Sequence, residues 1–147
     1  MSNNLDDTDI RRQIIIDHYE NPQNRIKNKT QIKDYKKSNS SSPSCIDNIN
    51  AYVKVDKNIV IDIKFDGLGC AIATSSTDIM SQLIKNKTID EANKIIAEYL
   101  SMIDGKKINK KKLSELVVFE NVNKQMNRIR CAKVGIEAIQ AAINKDK

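Results

Sequence analysis

Apolar positions recur along the chain with two different periods, and each period marks an element. Between Thr8 and Glu20, Ile10, Ile14 and His18 recur at helical spacing with Ile15 and Tyr19 beside them. This run predicts a helix capped by Thr8 or Asp9 and stopped at Asn21-Pro22, because the residue before proline is pushed out of the helical region. Over residues 23–44 the pattern fades into a polar, lysine- and serine-rich run read as a loop, with Ile32 and Tyr35 as candidates for a short edge strand. Alternation then takes over. Ile49, Ala51, Val53 and Val55 alternate with Asn50, Tyr52 and Lys54; Ile59, Ile61, Ile63 and Phe65 alternate with Val60, Asp62 and Lys64. Asp56-Lys57-Asn58 joins the two runs at hairpin length, and each strand is expected to bury one face. Helical spacing returns after Cys70, where Ile72, Ser76, Ile79, Met80, Leu83 and Ile84 predict a helix to about Asn86. Thr88 and Glu91 form a capping box ahead of Ala92, Ile95, Ile96, Tyr99, Leu100 and Ile103, with a stop at Asp104-Gly105. A basic linker follows, then a short helical element marked by Leu113, Leu116, Val117 and Phe119. The last helix carries Val134, Ala138, Ala141 and Ala142, with Ile136, Ile139 and Ile143 alongside. The sum is an α+β fold: a small antiparallel sheet of about three strands with helices packed on one side.

Length and composition narrow the class. A chain of 147 residues suits a single domain over 1–147, with 1–7 and 38–44 expected to be flexible. The hydrophobic share of 39% and the charged share of 30% fit a globular protein. No apolar run is long enough to span a bilayer, and the polar, acidic start is not a signal peptide, so no membrane partner and a cytoplasmic location are expected. The formal net charge is +6, but the excess is lysine spread along the chain, with arginine only at Arg11, Arg12, Arg25, Arg128 and Arg130. Aromatic residues make up 4%, too few for a base-stacking ladder, which argues against specific nucleic-acid binding. A solvated lysine surface remains, open to salt-sensitive attraction to polyanions or an acidic protein partner. Three cysteines cannot all pair within one chain, so metal binding or catalysis outranks a disulfide framework.

The cysteines stand at junctions between elements. Cys70 follows Gly67-Leu68-Gly69 at a strand end and opens a helix, where unpaired N–H groups and the helix dipole favour thiolate. Gly67 and Gly69 allow unusual backbone or a close approach. By itself Cys70 reads equally well as a small buried hydrophobe. The hairpin shifts that balance, because Cys45 precedes its first strand and Cys70 follows its second, which places both at one edge of the sheet. Asp47, two residues after Cys45, can approach the same ion, although an aspartate in an ordinary turn is as common. Cys131 again lies near a predicted helix start, after Asn127-Arg128-Ile129-Arg130. His18, the only histidine, could be a ligand, a base or a packed residue, and packing is favoured because no nucleophile motif lies near it.

These residues resemble the U-type iron–sulfur cluster assembly scaffolds, the SufU/IscU-like family, also described as NifU N-terminal-like. Asp17-His18-Tyr19-Glu20-Asn21-Pro22-Gln23-Asn24 resembles its N-terminal signature, and Ser44-Cys45-Ile46-Asp47 its first cysteine motif, with Ile46 where glycine usually stands. The stretch from Gly67 to Ser76 is similar to the second motif, and Arg128-Ile129-Arg130-Cys131-Ala132 to the third. A long, lysine-rich interval before Cys131, and Arg130 in place of a histidine, point to the SufU-like branch. The resemblance implies that Cys45, Asp47, Cys70 and Cys131 hold zinc and/or a transient 2Fe–2S cluster. Cys45 is the expected persulfide acceptor, with Arg128, Gly67 and Gly69 in support. It further implies a SufS-like cysteine desulfurase as sulfur donor and apo iron–sulfur proteins as recipients. Two rival classes stand beside it: a structural zinc-binding module, and a thiol hydrolase pairing a cysteine with His18, which needs the two within roughly 3 Å.

Overall fold

The computed structural model describes residues 5–42 and 46–145. Three antiparallel strands, β1 (Lys36–Ser41), β2 (Asn48–Asp56) and β3 (Ile59–Leu68), form one sheet in the order β1-β2-β3. Four α-helices accompany it: α1 (Thr8–Glu20), α2 (Ala71–Ile84), α3 (Ile89–Ile103) and α4 (Met126–Ile143). α4 lies across β1 and β2, α2 packs against α4 and β3, and α1 sits on the outside of α2. This is the expected α+β arrangement.

The hairpin forms as its alternation requires, with one change. Lys57 and Asn58 take positive φ, 51° and 67°, in a two-residue turn whose twist suits antiparallel strands. Val53 pairs with Ile63 and Lys54 with Asp62, but Val55 pairs with Val60, leaving Ile61 as the extra residue of a β-bulge. One inserted residue reverses the faces beyond it. Val60 is therefore buried, while Ile59 and Ile61, expected inside, are exposed.

The edge strand is also displaced from its expected place. Ile32 belongs to a 3-10 turn, Lys29–Ile32, and the strand is the polar run Lys36–Ser41, read from sequence as loop. Main-chain pairing to β2 carries it, reinforced where the Asn39 amide donates to Asn48 Oδ1 at 2.6 Å and Asn50 Oδ1 at 2.9 Å. On the other edge, Asn24 and Ile26 exchange main-chain hydrogen bonds with Phe65, so the chain after α1 shields β3.

α1 has the expected span but is capped by Asp7, whose carboxylate accepts from the N–H groups of Asp9 and Ile10. None of its residues is fully buried, and Ile10 and Tyr19 are exposed. Its docked face runs through Arg11, Ile14, Ile15 and His18, because polar partners orient it: Arg11 meets Glu120 at 3.0 Å and His18 meets Asp78 at 2.6 Å. α2 is the reverse case. It is buried almost all round from Ala73 to Ser81, which its small residues permit. Ser75, Thr77 and Ser81 donate their hydroxyls to carbonyls one turn back, at 2.6–2.7 Å, so burying them leaves no unpaired group. Thr88 and Glu91 complete the capping box of α3. After the lysine-rich turn, residues Ser114–Lys124 wind as a long 3-10 helix that closes the core with Leu116, Val117, Val118 and Phe119.

Candidate metal centre

The pairing of Asn48 with Leu68 places the start of β2 beside the end of β3. Asp47 stands one residue before the first, Cys70 two after the second. Gly67 makes the crossing possible: its φ is +111°, and a Cβ there would lie 2.2 Å from the Asn48 carbonyl oxygen. The Gly67 carbonyl accepts from the Arg25 guanidinium at 2.7 Å, which fixes the strap leading to Cys70. Gly69 lies outside the left-handed region, and a Cβ there would press on Thr74 Oγ1 at 3.0 Å and Ala73 Cβ at 3.2 Å.

Cys70 is the N-cap of α2, as its position in the sequence suggests, and its Sγ accepts from the Ala73 N–H at 3.4 Å. Its own N–H donates to Asp47 Oδ1 at 2.9 Å, and Asp47 Oδ2 lies 3.9 Å from the thiol. Asp47 is 1% exposed, a carboxylate buried at the positive end of a helix.

Cys131 arrives from α4. The helix begins at Met126, so Cys131 lies in its second turn rather than at its start, and residues 127–130 are already helical. Close packing of α2 and α4 brings it in. A Cβ on Gly135, one turn beyond Cys131, would lie 1.6 Å from Thr77 Oγ1, so the two helices meet where there is no side chain. Tyr99 fixes the same turn of α4 by donating to the Ala132 carbonyl at 2.8 Å.

One ligand atom each from Asp47, Cys70 and Cys131 lies within 4.8 Å of the others. Cys131 is buried, and burial first, then the neighbouring Asp47 and Cys70, pushes its thiol well above the usual range. Two thiol sulfurs and a carboxylate are a donor set for zinc or another thiophilic cation. With Zn–S near 2.3 Å, tetrahedral ligands sit about 3.8 Å apart, so a contraction of about 1 Å closes the set. A cation here would reverse the electrostatics that hold Cys131 protonated.

The other candidates divide. Cys45 lies outside the described residues. Arg128 is exposed on the first turn of α4, without an ion pair or side-chain hydrogen bond among the described residues; Arg130 pairs with Glu137 at 3.6 Å. His18 is a packed residue whose ring faces carboxylates. Nδ1 is 2.6 Å from Asp78 and Nε2 is 3.7 Å from Glu115, and the Asp78 hydrogen bond raises its pKa against the opposing effect of burial. No hydrogen bond joins His18 to Cys70 or Cys131, the two cysteines among the described residues, so neither forms a cysteine–histidine pair with it. Sequence reasoning passed over Asp78 and Arg25. A charged residue on the inner face of a helix was the signal for Asp78; nothing local marks Arg25.

Comparison with known proteins places the chain. The family model described as NifU-like N terminal domain matches residues 10–102, which include Asp47 and Cys70. The zinc-dependent sulfurtransferase SufU of Bacillus subtilis (strain 168) is 33% identical over 149 residues, covering 100% of this chain and 98% of its own. The iron–sulfur cluster assembly scaffold protein IscU of Thermotoga maritima is 28% identical over 102 residues, covering 69% of this chain and 72% of its own. Among solved structures, FiSufU of Fervidobacterium islandicum AW-1 superposes with a TM-score of 0.80 at 26% sequence identity, over 90% of this chain and 95% of its own. No helix among the described residues is long and apolar enough to cross a membrane. The sequence motifs, the three-stranded sheet and these likenesses agree: the chain belongs to the NifU-like N terminal domain family.

Proposed function

We propose that this protein is a zinc-dependent sulfur acceptor serving iron–sulfur cluster assembly, with Asp47, Cys70, Cys131 and Cys45 as the metal ligands. The observation that carries the reading is the convergence of three ligand atoms, from three separate elements, within 4.8 Å of one another. Packing would not require two thiols and a buried carboxylate to face each other. Zinc, when bound, holds the thiols as thiolates and fixes them in one place.

The chain's own residues supply the rest. The Cys70 N–H orients the Asp47 carboxylate, and the Ala73 N–H stabilises the Cys70 sulfur. In the transfer step the Cys45 thiolate attacks the outer sulfur of a persulfide on a cysteine desulfurase. A sulfur–sulfur bond forms at Cys45 as the donor's breaks, and the electron pair leaves with the donor cysteine as thiolate. One persulfide replaces another, so no external oxidant or reductant is needed. In this reading Arg128 meets the donor or its charge, a role supported by its exposure one turn before Cys131.

A second reading has the same donor set carry a transient 2Fe–2S cluster as cargo for apo-proteins, favoured by the likeness to IscU scaffolds. The test compares zinc affinity and sulfur transfer from a cysteine desulfurase in wild type, Asp47→Ala and Cys45→Ser. Loss of transfer in both variants supports the acceptor role. Equal transfer by all three refutes it, and cluster lifetime after anaerobic reconstitution then decides the second reading.

A further inference from the structure

The lysine-rich stretch takes no part in the metal centre, yet it builds a feature of its own. At the far end of α2 from Cys70, about 20 Å along the helix, a cavity of about 400 Å³ opens between α2, the first turns of α3 and the 3-10 turn Lys110–Lys112. Leu83 and Ile95 form its floor, and Lys87, Lys94, Lys111 and Lys112 stand around it. Lysines close by are paired: Lys85 with Asp62 at 3.3 Å and Lys110 with Glu120 at 2.7 Å. Among the described residues the four at the cavity have no ion pair. The single carboxylate in the lining, Glu91, is committed to the capping box, where it accepts from the Thr88 N–H and hydroxyl at 3.1 Å. Its pKa is lowered chiefly by those bonds, with smaller contributions from Lys87 and Lys94.

We infer that this groove docks an acidic, amphipathic segment of a protein partner. Carboxylates on the segment meet the four lysines, and an apolar side chain beside them rests on Leu83 and Ile95. The lining decides among anions. It has no aromatic ring to stack a base and no arginine to fork onto phosphate or guanine, as a nucleic-acid groove would have. The helix end at the groove, the start of α3, is closed by Thr88 and Glu91 and offers no nest of free N–H groups to a phosphate. A hydrophobic floor with a lysine rim suits a peptide with both kinds of side chain, and long-range attraction would speed its arrival. The surface is separate from the metal centre, so this inference stands or falls independently of the sulfur-acceptor reading.

The test uses the zinc-loaded full chain and a short fluorescein-labelled helical peptide of glutamate, alanine and leucine, followed by anisotropy. One variant reverses the groove (Lys87→Glu, Lys94→Glu, Lys111→Glu, Lys112→Glu). A control of equal charge reverses Lys27, Lys29, Lys33 and Lys54 to glutamate. Groove reversal should weaken binding roughly tenfold or more and the control about twofold at most. Leu83→Ser should weaken it roughly threefold with an unchanged salt dependence. Zinc content should match wild type throughout. If groove reversal unfolds the chain, alanine at the same four positions is read by the same comparison. Equal weakening by both sets, no saturable binding by wild type, or displacement of the peptide by oligothymidine at lower concentration would overturn the inference.

Discussion

Two buried polar clusters flank α2, and they are built on opposite principles. Around Asp78 every acceptor has its donor. Oδ2 faces His18, Oδ1 accepts from the Asn24 N–H at 2.8 Å and its amide at 3.0 Å, and Asn24 in turn accepts from Lys85, which pairs with Asp62. Around Asp47 the balance fails. A carboxylate and two sulfurs crowd together, and among the described residues they are met by the N–H groups of Cys70 and Ala73 and by a long contact from the Cys70 thiol to Asp47 at 3.9 Å. The first cluster is a satisfied network that fastens α1, β3 and α2 to one another. Among the described residues the second has electron pairs to spare and no positive charge beside it, which is a donor set suited to a cation. Burial alone does not distinguish them; the ratio of donors to acceptors does.

The largest effect should come from breaking the satisfied cluster. Asp78→Ala leaves Asn24 and His18 without their buried partner and should cost about 3–5 kcal/mol of stability in denaturant unfolding. Next comes the contact that brings Cys131 to the site. Gly135→Ala drives a methyl into Thr77 and should cost about 1–3 kcal/mol, lowering zinc affinity as well. Adding Thr77→Ala should recover part of both losses. Asp47→Ala should invert the pattern, with metal-free stability changed by about 1 kcal/mol or less while zinc affinity, measured by chelator competition, falls roughly tenfold or more. A large loss of stability without zinc would show that Asp47 serves the fold.

The smallest effect is a pH dependence. The pKa of His18 is raised in the folded state, by Asp78 foremost and by Glu115 and Asp17 to a lesser degree. Its contribution is therefore fully present below the unfolded value of about 6.5 and fades as pH rises through the folded value. The stability difference between wild type and His18→Gln should be larger at about pH 6 than at about pH 9. A difference independent of pH would mean that His18 acts by packing alone.

Much of this was legible in the sequence, for identifiable reasons. The hairpin, the capping box and Cys70 at its cap rest on local rules, and local rules read well. The bulge at Ile61 was not legible, because pairing partners rather than alternation decide where a strand gains a residue. The edge strand escaped because Lys36–Ser41 has no apolar face and is held by main chain and asparagine amides. Cys131 was expected near the helix start, but α4 begins five residues earlier, at Met126, without a side-chain cap to announce it. The convergence of Asp47, Cys70 and Cys131 needed one tertiary fact beyond the hairpin: that α2 and α4 touch at Gly135.

The central claim, that this cluster is a metal centre, is tested most directly by X-ray absorption at the zinc edge of the purified protein. The account predicts three sulfur ligands and one oxygen around each zinc, four sulfurs in Asp47→Cys, and fewer sulfurs in Cys70→Ser and Cys131→Ser. Zinc bound by nitrogen and oxygen alone, or a spectrum unchanged in Cys70→Ser and Cys131→Ser, would contradict it.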